Sequence, residues 1–189
     1  MTKLIIAADD VLSRRTIFRQ VGGVTLSATA VALLAGCGTM AMSDSAKPSD
    51  VDILKVALDK EHEAIAAYQL GADSGLLQPA VLRVAQAFQK DHIEHAKVLS
   101  DTIRKLGGSP AGPGKYDFPV KDIKTQADVL AFAADLEQGA VSAYLGAVPV
   151  FSNRDLAKAA ASILGAEAMH WAVLRNALGE NPVPVSFVS

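Results

Sequence analysis

Two stretches that lie far apart in the chain repeat one pattern of potential ligands. Glu61-x-x-Ala64-Ile65-x-x-Tyr68 is matched by Glu137-x-x-Ala140-Val141-x-x-Tyr144, and each is followed by a pair spaced i,i+3. His92-x-x-His95 follows the first and Glu167-x-x-His170 the second. Glu61 to His95 spans 34 positions and Glu137 to His170 spans 33. Residues three apart share a helix face, and carboxylates with imidazoles at such spacing suit iron, manganese or zinc. A helix hairpin that occurs twice, with a Glu on its first helix and an x-x-His pair on its second, can build a metal site inside a four-helix bundle.

The elements that must position these residues read as four helices. The first begins at Ser49 or Asp50 and runs to about Ala72. The second opens with Pro79 in its first turn and stops at Gly107-Gly108, since proline suits a helix start and glycine a helix end. Ser109 to about Lys124 holds Pro110, Pro113 and Pro119 among glycines and reads as a long loop. Thr125-Gln-Ala-Asp128 is a capping signal for a third helix that ends near Val148, before Pro149. Ser152-Asn-Arg-Asp155 signals the start of a fourth, which runs to Leu178 with Gly179 as its stop. Short turns make two antiparallel hairpins, and the loop between them is long enough to cross the length of a bundle. The predicted fold is an all-α four-helix bundle of two hairpins joined by a crossover loop.

At about 100° per residue, Leu54, Leu58, Glu61, Ile65 and Tyr68 form one stripe of the first helix. On the second, Val84, Phe88, His95, Thr102 and Leu106 line up, with Asp91 and His92 to either side. Leu130, Glu137, Val141, Tyr144 and Val148 align on the third helix. Leu156, Ile163, His170, Leu174 and Ala177 do so on the fourth, with Glu167 one turn before His170. Glu61, His95, Glu137, Glu167 and His170 are therefore expected to point into the core. A buried carboxylate costs several kcal/mol unless it is paired or binds a cation. These stripes carry no Lys or Arg, so a metal ion is the expected partner. His92 reads either as a further ligand or as an imidazole that holds one. Tyr68 and Tyr144 read as core aromatics whose hydroxyls need a partner, Phe88 and Trp171 as packing, and His62 and Glu63 as surface.

The N-terminal segment reads as an export leader. Ser13-Arg14-Arg15-Thr16-Ile17-Phe18-Arg19 resembles a twin-arginine signal. An apolar, uncharged run from Val21 to Ala35 follows, shorter than the roughly 20 residues of a membrane-spanning helix. Leu34-Ala35-Gly36-Cys37 resembles a bacterial lipobox, which makes Cys37 the expected lipidation site. Without lipidation, cleavage near Ala41 would give a soluble periplasmic protein. Cys37 is the one cysteine of the chain, so no internal disulfide is available. The expected organisation is a leader over 1–37, a tether over 38–49, the bundle over 50–179 and a tail over 180–189. The leader carries four basic and two acidic residues, so the remainder of a chain with net charge −2 stands near −4. That balance, with no basic patch, argues against nucleic-acid binding.

Residues 50–178 resemble a ferritin-like domain of the bacterioferritin, rubrerythrin and Tat-exported ferritin-like group. The stretch Ile163-Leu-Gly-Ala-Glu167-Ala-Met-His170-Trp-Ala-Val-Leu-Arg175 is similar to the last helix of the exported members. The resemblance implies two metal ions, held by one Glu from each of the first and third helices and a Glu-x-x-His from each of the second and fourth. Glu61, His95, Glu137, Glu167 and His170 match that pattern. The second helix departs from it, because His92 stands in the Glu slot beside Asp91, which is the alternative residue to reach in as the missing bridge. One bridging carboxylate, Glu167, is left of two, so fewer than two tightly held ions, or two of unequal affinity, are expected. The cofactor expected is iron, including a di-iron form, or manganese. The partners expected are metal ions, the membrane through the lipid anchor, and a second copy in a homodimer. Three classes of function fit: a di-metal oxidase or peroxide-reducing enzyme, a metal-binding protein of the envelope, or a structural, stress-related bundle. The missing bridge favours the second and third. The twin-arginine resemblance implies export to the periplasm or cell envelope in the folded state.

Overall fold

The computed structural model describes residues 48–189; Arg14, Arg15 and Cys37 lie outside them. Four helices fill this region: α1 (Asp50–Asp73), α2 (Pro79–Lys105), α3 (Gln126–Ala147) and α4 (Arg154–Ala177). No strand occurs among the described residues, and no helix there is long and apolar enough to cross a membrane.

Three of the four helices start where the sequence supplies a side-chain partner for the free amides of the first turn. Ser49 and Asp52 form a reciprocal capping box on α1, and Thr125 and Asp128 form one on α3. Such a cap contributes about 1 kcal/mol. For α2 there is no side-chain cap, and Pro79 simply lacks the amide that would need one. On α4 the cap is Asn153, not Ser152, and its side chain accepts from the amides of Asp155 and Leu156. The amides of Ser152 and Asn153 are taken instead by the Asp50 carboxylate, at 2.7 and 2.9 Å. The capping motif was legible, but a carboxylate from a distant helix shifted its register by one residue.

These contacts fix the topology. Asp50 places the start of α4 beside the start of α1, and the Gln78 amide donates to Gln126 Oε1, placing the starts of α2 and α3 at the opposite end. α1 and α4 therefore run parallel, as do α2 and α3, and the loop after α2 must return along the bundle. On the way the Tyr116 hydroxyl donates to Asp59 Oδ1 at 2.9 Å, and Phe118 packs edge-on against Phe132. The return begins at Gly107, whose φ of 81° disfavours other residues. At Gly108 a Cβ would come within 2.8 Å of Val51, so the end of α2 closes directly on the start of α1.

The core divides into two apolar clusters. One contains Leu54, Leu58, Leu99, Ile103 and Ile163, and the other Leu130, Ala133, Ala134, Trp171 and Leu174. Tyr144 belongs to the first and Tyr68 to the second. The α2 seam differs from the expected stripe. Its buried residues are His92, Ala96, Leu99 and Ile103, whereas Val84 and Leu106 are exposed. The helix is rotated by roughly 60° from the reading through His95. α2 carries apolar side chains on more than one face, with Ile93 and Val98 also exposed, so hydrophobic period alone does not fix its rotation.

Candidate metal centre

Glu61, His92, Glu137, Glu167 and His170 are the buried carboxylate and imidazole side chains of the described core. His95 stands beside them with a side chain 16% exposed. All six residues singled out by spacing thus meet at one place, and His92, read as flanking, is the most central of the imidazoles. Its Nδ1 donates to Glu61 Oε2 at 2.9 Å and its Nε2 faces Glu137 Oε1 at 3.2 Å. Asp91 does not enter. Its side chain is 56% exposed, and its Oδ2 lies 3.2 Å from His170 Nε2, on the outer edge of that ring.

The donors fall into two groups that share two residues. Glu61, His92, His95 and Glu167 form one; His92, Glu137, Glu167 and His170 form the other. In the first group, His95 Nδ1 lies 3.4 Å from Glu61 Oε2 and 3.0 Å from Glu167 Oε1, and His92 Nδ1 lies 3.7 Å from Glu167 Oε1. In the second, His170 Nδ1 lies 3.4 Å from Glu137 Oε1 and 3.3 Å from Glu167 Oε2. Several of these approaches are too oblique to be hydrogen bonds. His95 Nδ1, His170 Nδ1, Glu137 Oε2 and both oxygens of Glu167 are buried with no hydrogen-bond partner. Five such atoms around one point would be costly in a purely protein core, and the donor chemistry fits iron, manganese or zinc.

The two tyrosines cross between hairpins. The Tyr144 hydroxyl donates to Glu61 Oε1 at 2.5 Å, and the Tyr68 hydroxyl donates to Glu137 Oε1. Each hairpin so anchors the other's carboxylate, which is the partner their hydroxyls were expected to need. Behind Tyr68 an apolar cavity of about 90 Å³, lined by residues such as Val81, Leu130 and Leu174, offers no further donor.

Electrostatics follow from this packing. Burial pushes the His92 imidazolium pKa down, but the bonds to Glu137 and Glu61 outweigh it and hold the value up at about 10. Burial likewise opposes charge on His95 and His170, and their carboxylate neighbours raise both to about 9. Glu61 and Glu137 are disfavoured by burial as anions, yet the neighbouring histidines, His92 through its bonds to both, hold both below the ordinary carboxylate range. Burial, then the neighbouring carboxylate charge, pushes Tyr68 and Tyr144 well above the usual phenol value, so both stay donors. In this state protons do the work of a cation, which a metal ion could take over by displacing them.

A profile described as a ferritin-like domain matches residues 49–180. The chain belongs to the ferritin-like domain family. Among solved structures it is similar to a conserved hypothetical protein, rv2844, from Mycobacterium tuberculosis, with a TM-score of 0.62 and 22% identity over 71% of this chain and 94% of that one. It is also similar to ferritin-like, diiron-carboxylate proteins from Bacillus anthracis str. Ames, with a TM-score of 0.60 and 21% identity over 68% of this chain and 94% of that one. At these identities the likeness establishes the fold. No curated protein sequence matches the chain.

Two details of this ferritin-like site escaped the sequence reading. Phe88, read as packing, stacks on the His170 ring with centroids 4.1 Å apart. Asp91 holds that ring's outer nitrogen. No local spacing marks either contact, because both depend on how α2 packs against α4.

Proposed function

We propose that this ferritin-like protein is an exported, lipid-anchored metal-binding protein of the bacterial envelope that holds iron or manganese at the centre of its bundle. The observation that carries the reading is the convergence of five unpartnered buried atoms, all from the duplicated motif, on one point. Glu61 and His95 would serve one side of the centre, Glu137 and His170 the other, and Glu167 and His92 both. A bound ion would supply the positive charge these carboxylates lack, together with Lewis acidity and, for iron or manganese, one-electron redox change. The tyrosine hydroxyls fix the carboxylate rotamers, and Asp91 fixes the His170 ring so that Nδ1 faces inward. The diiron-carboxylate description of the Bacillus anthracis structures supports iron. Binding rather than standard oxidase chemistry is favoured because His92 occupies the slot in which the family resemblance implies a second bridging carboxylate.

Elemental analysis of protein purified without added metal tests the central claim. Bound iron or manganese is expected, at fewer than two tight ions per chain or two of unequal affinity. No retained metal, with no heat on titration by iron(II) or manganese(II), would overturn it. The leader supports the location. Cys37→Ser should move the protein from the membrane fraction to the soluble one, and Arg14→Lys with Arg15→Lys should stall export. Unchanged fractionation or export would remove the anchor or the route.

A further inference from the structure

The donor geometry of the centre is more specific than a cluster of ligands. Around an ion with bonds of about 2.0–2.1 Å, tetrahedral donors stand roughly 3.3 Å apart. The first group shows donor separations of 2.9, 3.0, 3.4 and 3.7 Å, built from Glu61 Oε2, His92 Nδ1, His95 Nδ1 and Glu167 Oε1. The second shows 3.2, 3.3 and 3.4 Å, built from His92 Nε2, Glu137 Oε1, His170 Nδ1 and Glu167 Oε2. In each of these two cages the donors lie within 4.8 Å of one another, close enough to hold one ion. The cages share residues but no atoms: Glu167 gives one oxygen to each, and His92 gives one ring nitrogen to each.

We propose that His92 is a bridging ligand, one ring nitrogen bonded to each of two ions, and that the imidazole ring sets the spacing between them. The inference rests on the metal-binding reading and adds to it the identity of the bridge. Its chemistry balances simply. With one ion on Nε2, the ring is neutral and its Nδ1–H donates to Glu61 Oε2. For His92 Nδ1 to bind a second ion, it would release that proton to solvent, with no electron transferred. The ring then carries one negative charge, the same charge a glutamate would have brought to this position. A carboxylate bridge holds two ions about 3.5–4 Å apart. Two bonds of about 2.0 Å on opposite sides of an imidazole ring set them about 6 Å apart. Glu167 offers one oxygen to each cage and would reach ions at this wider spacing through the outward-facing lone pairs of those oxygens, not in the compact bridging mode.

Anomalous diffraction from crystals of the protein loaded with zinc(II) alone reads this spacing directly. Two peaks about 6 Å apart, on either side of the His92 ring, are expected at saturation. Two peaks within about 4 Å of each other, a second ion bound through Asp91, or a single peak with His92 Nδ1 still on Glu61 would each overturn the bridge while leaving metal binding in place. No peak at all, with no heat of binding for zinc(II), iron(II) or manganese(II) in solution, would overturn the metal-binding reading itself. His92→Glu supplies the same charge on a shorter bridge. Its two ions should draw together to about 3.5–4 Å, and an unchanged spacing would show that residue 92 does not set it.

Discussion

The two halves of the centre are built from the same motif but are not supported equally. On the Glu137 side, His170 has its outer nitrogen on Asp91 and its ring stacked on Phe88, and its side chain is 6% exposed. On the Glu61 side, His95 has more contact with solvent, and the repeat provides nothing equivalent. His95 and His170 are 75 positions apart, and the position 75 after Asp91 is Ala166. The duplicated hairpin thus matches Glu61 with Glu137 and His95 with His170, sets His92 opposite Glu167, and supplies an orienting carboxylate on one side only. A histidine whose outer nitrogen is held loses little freedom when it binds metal, so the Glu137–His170 cage should fill first and the Glu61–His95 cage second.

The largest effect is expected where the two halves do not differ. Glu167 belongs to both cages, so Glu167→Gln should weaken both sites by more than about 100-fold by titration calorimetry, exceeding the 10–100-fold typical of residues that only orient a ligand. Selective loss of one site would show that Glu167 serves a single ion. Asp91→Asn should weaken the tighter site by about 10–100-fold and leave the weaker one nearly unchanged. Its mirror, Ala166→Asp, should tighten the weaker site and narrow the gap between the two. Should Asp91→Asn instead affect the weaker site, the order of filling proposed here is reversed.

A smaller effect separates the protein without metal from the protein with it. The imidazoliums of His92, His95 and His170 have raised pKa values, so their contribution to stability is complete below about pH 6.5, the ordinary histidine value. It fades as pH rises through about 9 for His95 and His170 and about 10 for His92. Glu61 and Glu137 are held low, so their contribution is present above the ordinary carboxylate value of about 4.3 and is lost as pH falls below it. Chelator-stripped protein should therefore show a melting temperature that falls on the alkaline side of neutrality. Metal-loaded protein should hold its value there, because the ion replaces the protons. A flat alkaline profile without metal would mean that the histidines are neutral in the empty centre.

Much of this centre was legible because helices convert spacing into position. The pairs Glu61/Tyr68 and Glu137/Tyr144 had to share a face, and Glu167 had to stand one turn from His170. The rotation of α2 was not legible. Val84, Val98 and Leu106 are apolar yet exposed, so the apolar pattern admits two registers, and the one through His95 put His92 on the flank. Asp91 was hidden for a different reason. Its contact with His170 depends on how closely α2 approaches α4, which no local spacing encodes.

The exchanged tyrosines have a consequence for how the chain reaches its native state. Contacts within each hairpin join segments close in sequence, but Tyr68 reaches Glu137 across 69 positions and Tyr144 reaches Glu61 across 83. Local contacts form early and distant ones late, because closing a longer loop costs more entropy. Each hairpin alone would leave its own glutamate without its hydroxyl partner. Docking of the two hairpins satisfies both carboxylates at once, so the contacts that join the hairpins are also the ones that assemble the centre.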